Sequence, residues 1–184
     1  MNIAVYCSSA SELPEAWVRA AAMAGTWIGQ HAASLIYGGV DAGLMRVTAE
    51  ACHKAGGTVV GVVPSRRNSM TSALNDVKIP AADLSDRKGI MQLLADVFIV
   101  LPGGYGTLDE FASAFSYINF TQQYGKRIIL FNPDGIYDPL LAQLQIMADR
   151  GLMSPAALDA LDVANSAEDL IAALDRFDQK HTQS

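Results

Sequence analysis

Pro102-Gly103-Gly104-Tyr105-Gly106-Thr107-Leu108-Asp109-Glu110 joins a short apolar run, Val97 to Leu101, to a helix-like run, Leu108 to Phe120. A buried strand that ends in a glycine-rich turn and opens into a helix makes an anion site. The first N–H groups of the helix lack partners, and the helix dipole favours negative charge there. Glycines let backbone approach a phosphate closely. Glu110 then brings a carboxylate one turn into the helix. Phosphate-binding backbone beside an acid points to chemistry on a phosphorylated small molecule. Two readings of Glu110 are open, because Thr107-Leu108-Asp109-Glu110 also fits the T-x-x-E capping box, in which Glu110 only bonds back to the Thr107 N–H. Asp109 reads as a solvated acid that favours the dipole.

Two further loops carry similar chemistry. Gly38-Gly39-Val40-Asp41-Ala42-Gly43 precedes Leu44-Met45 and does not fit the G-x-G-x-x-G dinucleotide spacing. The first strand runs into Cys7-Ser8-Ser9, whose hydroxyls suit either a phosphate or the cap of the next helix. Arg87-Lys88 opens a helix after Asp83 and Asp86, where basic residues oppose the dipole. Either an anion favours them or the neighbouring acids balance them. Arg66-Arg67 follow Pro64 in a polar segment, solvated or part of a lid.

The elements that must position these residues alternate in type. Strands are expected at Ile3 to Cys7, Leu35 to Tyr37, Thr58 to Val63, Val77 to Ile79, Val97 to Leu101 and Ile128 to Phe131. Helices are expected at Leu13 to His31, Leu44 to Ala55, Asp86 to Ala95, Leu108 to Gln123, Ile136 to Arg150 and Ser166 to Phe177, with Ser166 as an N-cap and a frayed polar tail. Continuous apolar strands alternating with helices predict an α/β fold with a parallel sheet covered on both faces. Ligands on such sheets lie beyond the carboxyl ends of the strands, where all three loops fall.

Composition sets the outer limits. The chain of 184 residues suits one domain spanning 1–184. A content of 51% hydrophobic and 17% charged residues excludes a disordered chain. A net charge of −6 argues against a nucleic-acid polymer as partner. No apolar run reaches membrane-spanning length, so a soluble, unprocessed chain with no membrane partner is expected. Cys7 and Cys52 form no metal or disulfide pattern and read as core residues of a cytoplasmic protein. His31, His53 and His181 lack ligand spacing, so no metal site is expected. No G-x-S-x-G elbow is present, which argues against a hydrolase triad. Trp17, Trp27, Phe111, Phe115 and Tyr117 read as core or interface.

Taken together, the motifs resemble those of a known family. Pro102 to Glu110 is similar to the P-G-G-x-G-T-x-x-E motif of the Lonely Guy (LOG) family of cytokinin riboside 5′-monophosphate phosphoribohydrolases, often labelled "lysine decarboxylase". Tyr37-Gly38-Gly39 through Gly43-Leu44-Met45, Ala55 through Pro64, Arg87-Lys88 with Met91, and Asn132 through Leu141 resemble further family motifs in order and spacing. Val40, Arg46 and Leu84-Ser85 depart from the pattern, and Arg66 to Leu74 lacks a common acidic residue.

The resemblance implies a modified Rossmann fold, a homodimer, and cleavage of a nucleoside 5′-monophosphate into free base and ribose 5-phosphate without a metal or organic cofactor. It implies Arg87 and Glu110 as the catalytic pair. The substrate- and phosphate-binding candidates are Ser8, Ser9, Gly38, Gly39, Gly43, Met45, Lys88, Gly103, Gly104, Tyr105, Gly106, Thr107 and Ser116. The rivals are a nucleotide or molybdenum-cofactor carrier of the same fold, and a pyridoxal-phosphate decarboxylase. A decarboxylase needs a Schiff-base lysine, and no lysine here has a recognisable context for one.

Overall fold

The computed structural model describes residues 1–65, 71–123 and 125–182. Arg66 and Arg67, the basic pair considered for a lid, lie outside the described residues. Seven parallel strands form one sheet in the order β4-β3-β2-β1-β5-β6-β7. They are β1 (Asn2–Tyr6), β2 (Ser34–Tyr37), β3 (Thr58–Pro64), β4 (Val77–Ala81), β5 (Val97–Val100), β6 (Arg127–Phe131) and β7 (Leu161–Ala164). The helices are α1 (Glu15–Gln30), α2 (Gly43–Lys54), α3 (Leu84–Leu94), α4 (Tyr105–Thr121), α5 (Asp138–Asp149), α6 (Pro155–Asp159) and α7 (Ala167–Thr182). The expected α/β fold with a parallel, doubly covered sheet is what forms.

The central strands are buried on both faces because their residues are apolar at every position, as in Val97-Phe98-Ile99-Val100. One core lies under α1, α2 and α7, and the other under α3, α4, α5 and α6. Gly25 and Gly29 let α1 approach α2 closely: a Cβ at Gly25 would stand 2.9 Å from the Ala51 Cβ. The chain builds β1 to β4 outward in one direction, then returns to place β5 on the other side of β1. The strand order therefore reverses between β1 and β5, and a crevice opens beyond their carboxyl ends. Among the described residues no helix is long and apolar enough to cross a membrane.

Four local expectations need correction. The helix after the glycine loop starts at Tyr105, not Leu108, with Gly104 as N-cap and no side-chain cap bond. Thr107 is therefore inside the helix and buried, and the capping box does not form. The helix bearing Arg87 starts at Leu84, because the Asp83 Oδ1 accepts the Ser85 and Asp86 N–H groups as an N-cap. The helix expected at Ile136 to Arg150 is split. A 3-10 turn at Pro133–Gly135 leads into α5, and Asn132 fixes the junction by accepting the Tyr137 N–H at 2.7 Å. The expected frayed tail is instead helical through Thr182.

Both α6 and β7 lack a sequence signal. The edge strand Leu161-Asp162-Val163-Ala164 has no apolar run; it pairs with β6 along its length, and Arg127 adds a contact by donating to Asp162 at 3.0 and 2.8 Å. Ser166 does cap α7: its Oγ accepts the Asp169 N–H at 3.0 Å while Asp169 accepts the Ser166 N–H at 3.1 Å. Ser166→Ala should cost about 1 kcal/mol and lower the melting temperature by about 2–4 °C. Calorimetry checks this, with Asp169→Ala expected to act in the same direction.

Candidate active site at the strand reversal

Ser8 ties the three loops together. Its N–H donates to the Pro102 carbonyl at 3.1 Å, and its carbonyl accepts the Leu44 N–H at 3.0 Å. The loops after β1, β2 and β5 thus meet because their strands are neighbours. Gly43 is needed at this junction. Its φ is +50°, and a Cβ there would stand 2.5 Å from the Ser8 carbonyl oxygen. Gly39, with φ of +70°, turns the second loop. Asn75 braces that turn by donating to the Gly39 carbonyl at 3.1 Å.

The Ser8 hydroxyl accepts the Ala10 N–H at 3.1 Å, so it closes its own turn. Neither Ser8 nor Ser9 caps the next helix, which begins at Glu15 behind Pro14. Gly104, Tyr105 and Gly106 are exposed at the start of α4. No side chain caps that terminus, so its first N–H groups are left without an intrahelical or side-chain partner. Gly103 lies against Ser8 and Thr107.

Glu110 and Arg87 meet across α3 and α4. Arg87 Nη2 donates to Glu110 Oε1, with side-chain exposures of 17% and 11%. One residue along each helix, Lys88 Nζ donates to both carboxylate oxygens of Asp109 at 2.7 Å. Further along, Gln92 donates to the Ser113 hydroxyl at 2.7 Å. These three links clamp the helices. The basic pair is balanced by acids 23 and 21 residues away, not by Asp83 and Asp86. Asp109 is exposed, as expected, but ion-paired. The other Arg87 terminal nitrogen lies over Gly38: a Cβ there would be 3.1 Å from Nη1 and 3.2 Å from the Met45 sulfur. Arg87 thus connects the second loop to Glu110.

Burial dominates the electrostatics of Glu110. It pushes the carboxyl above the ordinary glutamate value, and the Arg87 charge and hydrogen bond only partly oppose this. A carboxylate set this way beside a guanidinium is suited to stabilising a developing cation or to activating water.

Most of the expected site residues converge here: Ser8, Gly38, Gly39, Gly43, Met45, Lys88, Arg87, Glu110 and the loop Gly103 to Thr107. Ser9 is exposed beside them. Ser116 does not converge. It is exposed six residues beyond Glu110 on α4, which turns it about 120° away. Two residues of the site escaped the sequence reading. Asn75 carries no local signal. Tyr6 does carry one, since Ala4 and Tyr6 share the β1 face toward α3 and α4. Among the described residues no group of three metal-ligating side chains occurs.

The family described as "Possible lysine decarboxylase" matches residues 45–174. Cytokinin riboside 5′-monophosphate phosphoribohydrolase LOG7 of Arabidopsis thaliana is 34% identical over 180 residues, 96% of this chain and 82% of that protein. The chain belongs to the Lonely Guy (LOG) family. The LOG protein of Oryza sativa subsp. japonica is 32% identical over 179 residues, 96% of this chain and 73% of the relative. Among solved structures, a molybdenum cofactor carrier protein from Chlamydomonas reinhardtii matches with a TM-score of 0.72 and 25% identity, covering 96% of each chain. A molybdenum cofactor binding protein from Rippkaea orientalis matches with a TM-score of 0.71 and 26% identity over 95% of each chain. Of the departures from the LOG motifs, Val40 forms a bridge with Thr71 beside the second loop, and Arg46 is exposed on α2.

The ion pair generates a stability test. Glu110→Ala leaves the Arg87 charge nearly buried without its carboxylate and should cost about 3 kcal/mol. The double variant Arg87→Met/Glu110→Leu removes both charges and should recover most of that loss. Chemical denaturation of the variants against the parent protein checks both expectations.

Proposed function

We propose that this protein hydrolyses the N-glycosidic bond of a purine nucleoside 5′-monophosphate, adenine or cytokinin-type, giving free base and ribose 5-phosphate. The observation that carries this reading is the buried Arg87–Glu110 pair beside the uncapped start of α4. The 5′-phosphate would sit on the N–H groups of the loop 103–107, with Ser8, Ser9 and the Gly38–Gly43 loop as the opposite wall. Binding energy from the phosphate would then position C1′ near Glu110, one helical turn away. As the bond breaks, positive charge grows on the ribose. Ionised Glu110 stabilises it and takes a proton from the attacking water, whose oxygen bonds to C1′. The electron pair of the broken bond leaves with the base, which takes up a proton from solvent as Glu110 returns to solvent the one it took. A guanidinium is a poor proton donor, so the role given to Arg87 is to orient Glu110. Relatives named as phosphoribohydrolases support the reading.

A molybdenum-cofactor carrier is the second reading, favoured by the solved structures. A carrier needs the loops but has no use for a buried acid with a raised pKa. Purified protein should release adenine from AMP at least about 100-fold faster than from adenosine, given the weight of phosphate positioning. Glu110→Gln should lose about two orders of magnitude or more. The assay belongs well below the melting temperature, because glutamine leaves Arg87 without its carboxylate. Ionised Glu110 is the active form and its pKa is raised. The kcat/KM for AMP should therefore fall tenfold per pH unit below a limb lying above the ordinary glutamate range. Equal turnover of AMP and adenosine, or an active Glu110→Gln enzyme, would overturn the assignment.

The protein is further proposed to act as a cytoplasmic homodimer. Both cysteines are buried free thiols, which suits a reducing compartment. Tyr105 and Phe120 on α4 are each 92% exposed, and Leu93 on α3 is 69% exposed. Exposed apolar side chains on the paired helices suit a second copy of the chain. Light scattering at micromolar concentration should give twice the chain mass, and Phe120→Glu should shift it toward monomer. A monomeric parent protein would refute this.

A further inference from the structure

Tyr6 ends β1 immediately before the Cys7-Ser8-Ser9 loop and is only 1% exposed. Its ring stacks on Phe98 with centroids 6.0 Å apart, which fixes its direction. It belongs to the core beneath α3 and α4, the helices that carry Arg87 and Glu110. Among the described residues neither the buried phenol oxygen nor the buried Arg87 Nε has a hydrogen-bond partner. An unpaired buried hydroxyl bears the cost of its lost hydration, while phenylalanine would fill the same space at no such cost. The hydroxyl therefore calls for a role.

We infer that Tyr6 is a positioning residue of the Arg87–Glu110 pair, its phenol donating a hydrogen bond to the Glu110 carboxylate when Arg87 turns toward a bound ligand. Arg87 can turn because a single nitrogen of its fork holds Glu110, with Nη1 over Gly38 and Nε unengaged. The phenol would then keep Glu110 ionised inside the protein. Its own acidity suits this. Burial first, and the Glu110 charge second, push the Tyr6 phenol up, so it stays a protonated donor at every working pH. The charged and titratable groups facing Glu110 are Arg87 and Lys88 from α3, Asp109 from α4, and Tyr6 and Cys7 from the end of β1. Cys7 is buried and its thiol is also pushed up, so it carries no charge that could replace the phenol. This inference rests on the proposed reaction for its catalytic consequence and for the ligand used in its test, ribose 5-phosphate.

The test is the titration of Glu110 in ribose 5-phosphate-saturated protein. It is followed by carbon NMR of protein labelled at the glutamate carboxyl and assigned with Glu110→Gln. Tyr6→Phe keeps the ring on Phe98 and deletes only the hydroxyl. The expected result is a Glu110 midpoint raised by about one pH unit, the scale of a lost hydrogen bond to a charged group. The acid limb of AMP hydrolysis should move up by the same amount, with kcat affected more than KM. A merely structural tyrosine predicts the opposite pattern: an unchanged Glu110 midpoint and a melting temperature equal to or above that of the parent. That pattern overturns the inference. Incorporation of 3-fluorotyrosine, a stronger phenol donor, gives a second arm that needs no substitution, and the midpoint should fall. An unchanged midpoint there likewise overturns the inference. If the parent protein hydrolyses no nucleotide but the midpoint still responds to Tyr6, the hydrolase reading fails and the positioning role stands.

Discussion

A carboxylate taken out of water needs a cation nearby, and Glu110 is held under that constraint. Its partner Arg87 comes from a different helix, so α3 and α4 must pack side by side for the charge to be tolerated. Lys88 with Asp109 and Gln92 with Ser113 hold the same two helices in the same register. The sheet order explains why these helices are adjacent. The crossover carrying α3 returns the chain from β4 to β5, and α4 leaves β5 on the same face. The site is a consequence of that return.

The same reversal explains why the loops are rich in glycine. Strands β2, β1 and β5 are neighbours, so their carboxyl-terminal loops compete for one small volume. Backbone must pass within hydrogen-bond distance of backbone, as it does around Ser8. At Gly43 a side chain would collide with the Ser8 carbonyl, and at Gly38 it would crowd Arg87. Bare backbone at the start of α4 and bare backbone facing Arg87 are therefore two parts of one design. Uncapped N–H groups at a helix start suit a phosphate, and the Arg87–Glu110 charges stand one turn further in.

The same scaffold serves carriers of a molybdenum cofactor and phosphoribohydrolases, which places the functional difference in side chains and not in the fold. In this chain burial pushes the Glu110 carboxyl above the ordinary glutamate value, an expense that binding alone does not require. An unpartnered Tyr6 hydroxyl beside it adds a second such expense. Costs of this kind concentrate where a protein performs chemistry.

The sequence by itself determined the strands whose residues are apolar throughout, the alternation of strands with helices, and the loop positions at strand ends. It also carried the motif that singles out Arg87 and Glu110. These features are local, set by side-chain patterning over a few residues. Local rules failed where a distant partner decided the outcome. Thr107-x-x-Glu110 fits a capping box as well as a site acid, but the helix starts at Tyr105 and Arg87, 23 residues away, claims the carboxylate. Arg87-Lys88 reads as a solvated pair until α4 packs against them. The short strand β7 has no signal of its own, and its pairing with β6 together with the Arg127–Asp162 contact places it at the edge. Tyr6 reads only as part of the first strand until its buried hydroxyl is found without a partner among the described residues and within the field of Glu110 and Arg87. In each case the deciding energy is a contact between residues far apart in the chain, and only the tertiary structure brings those residues together.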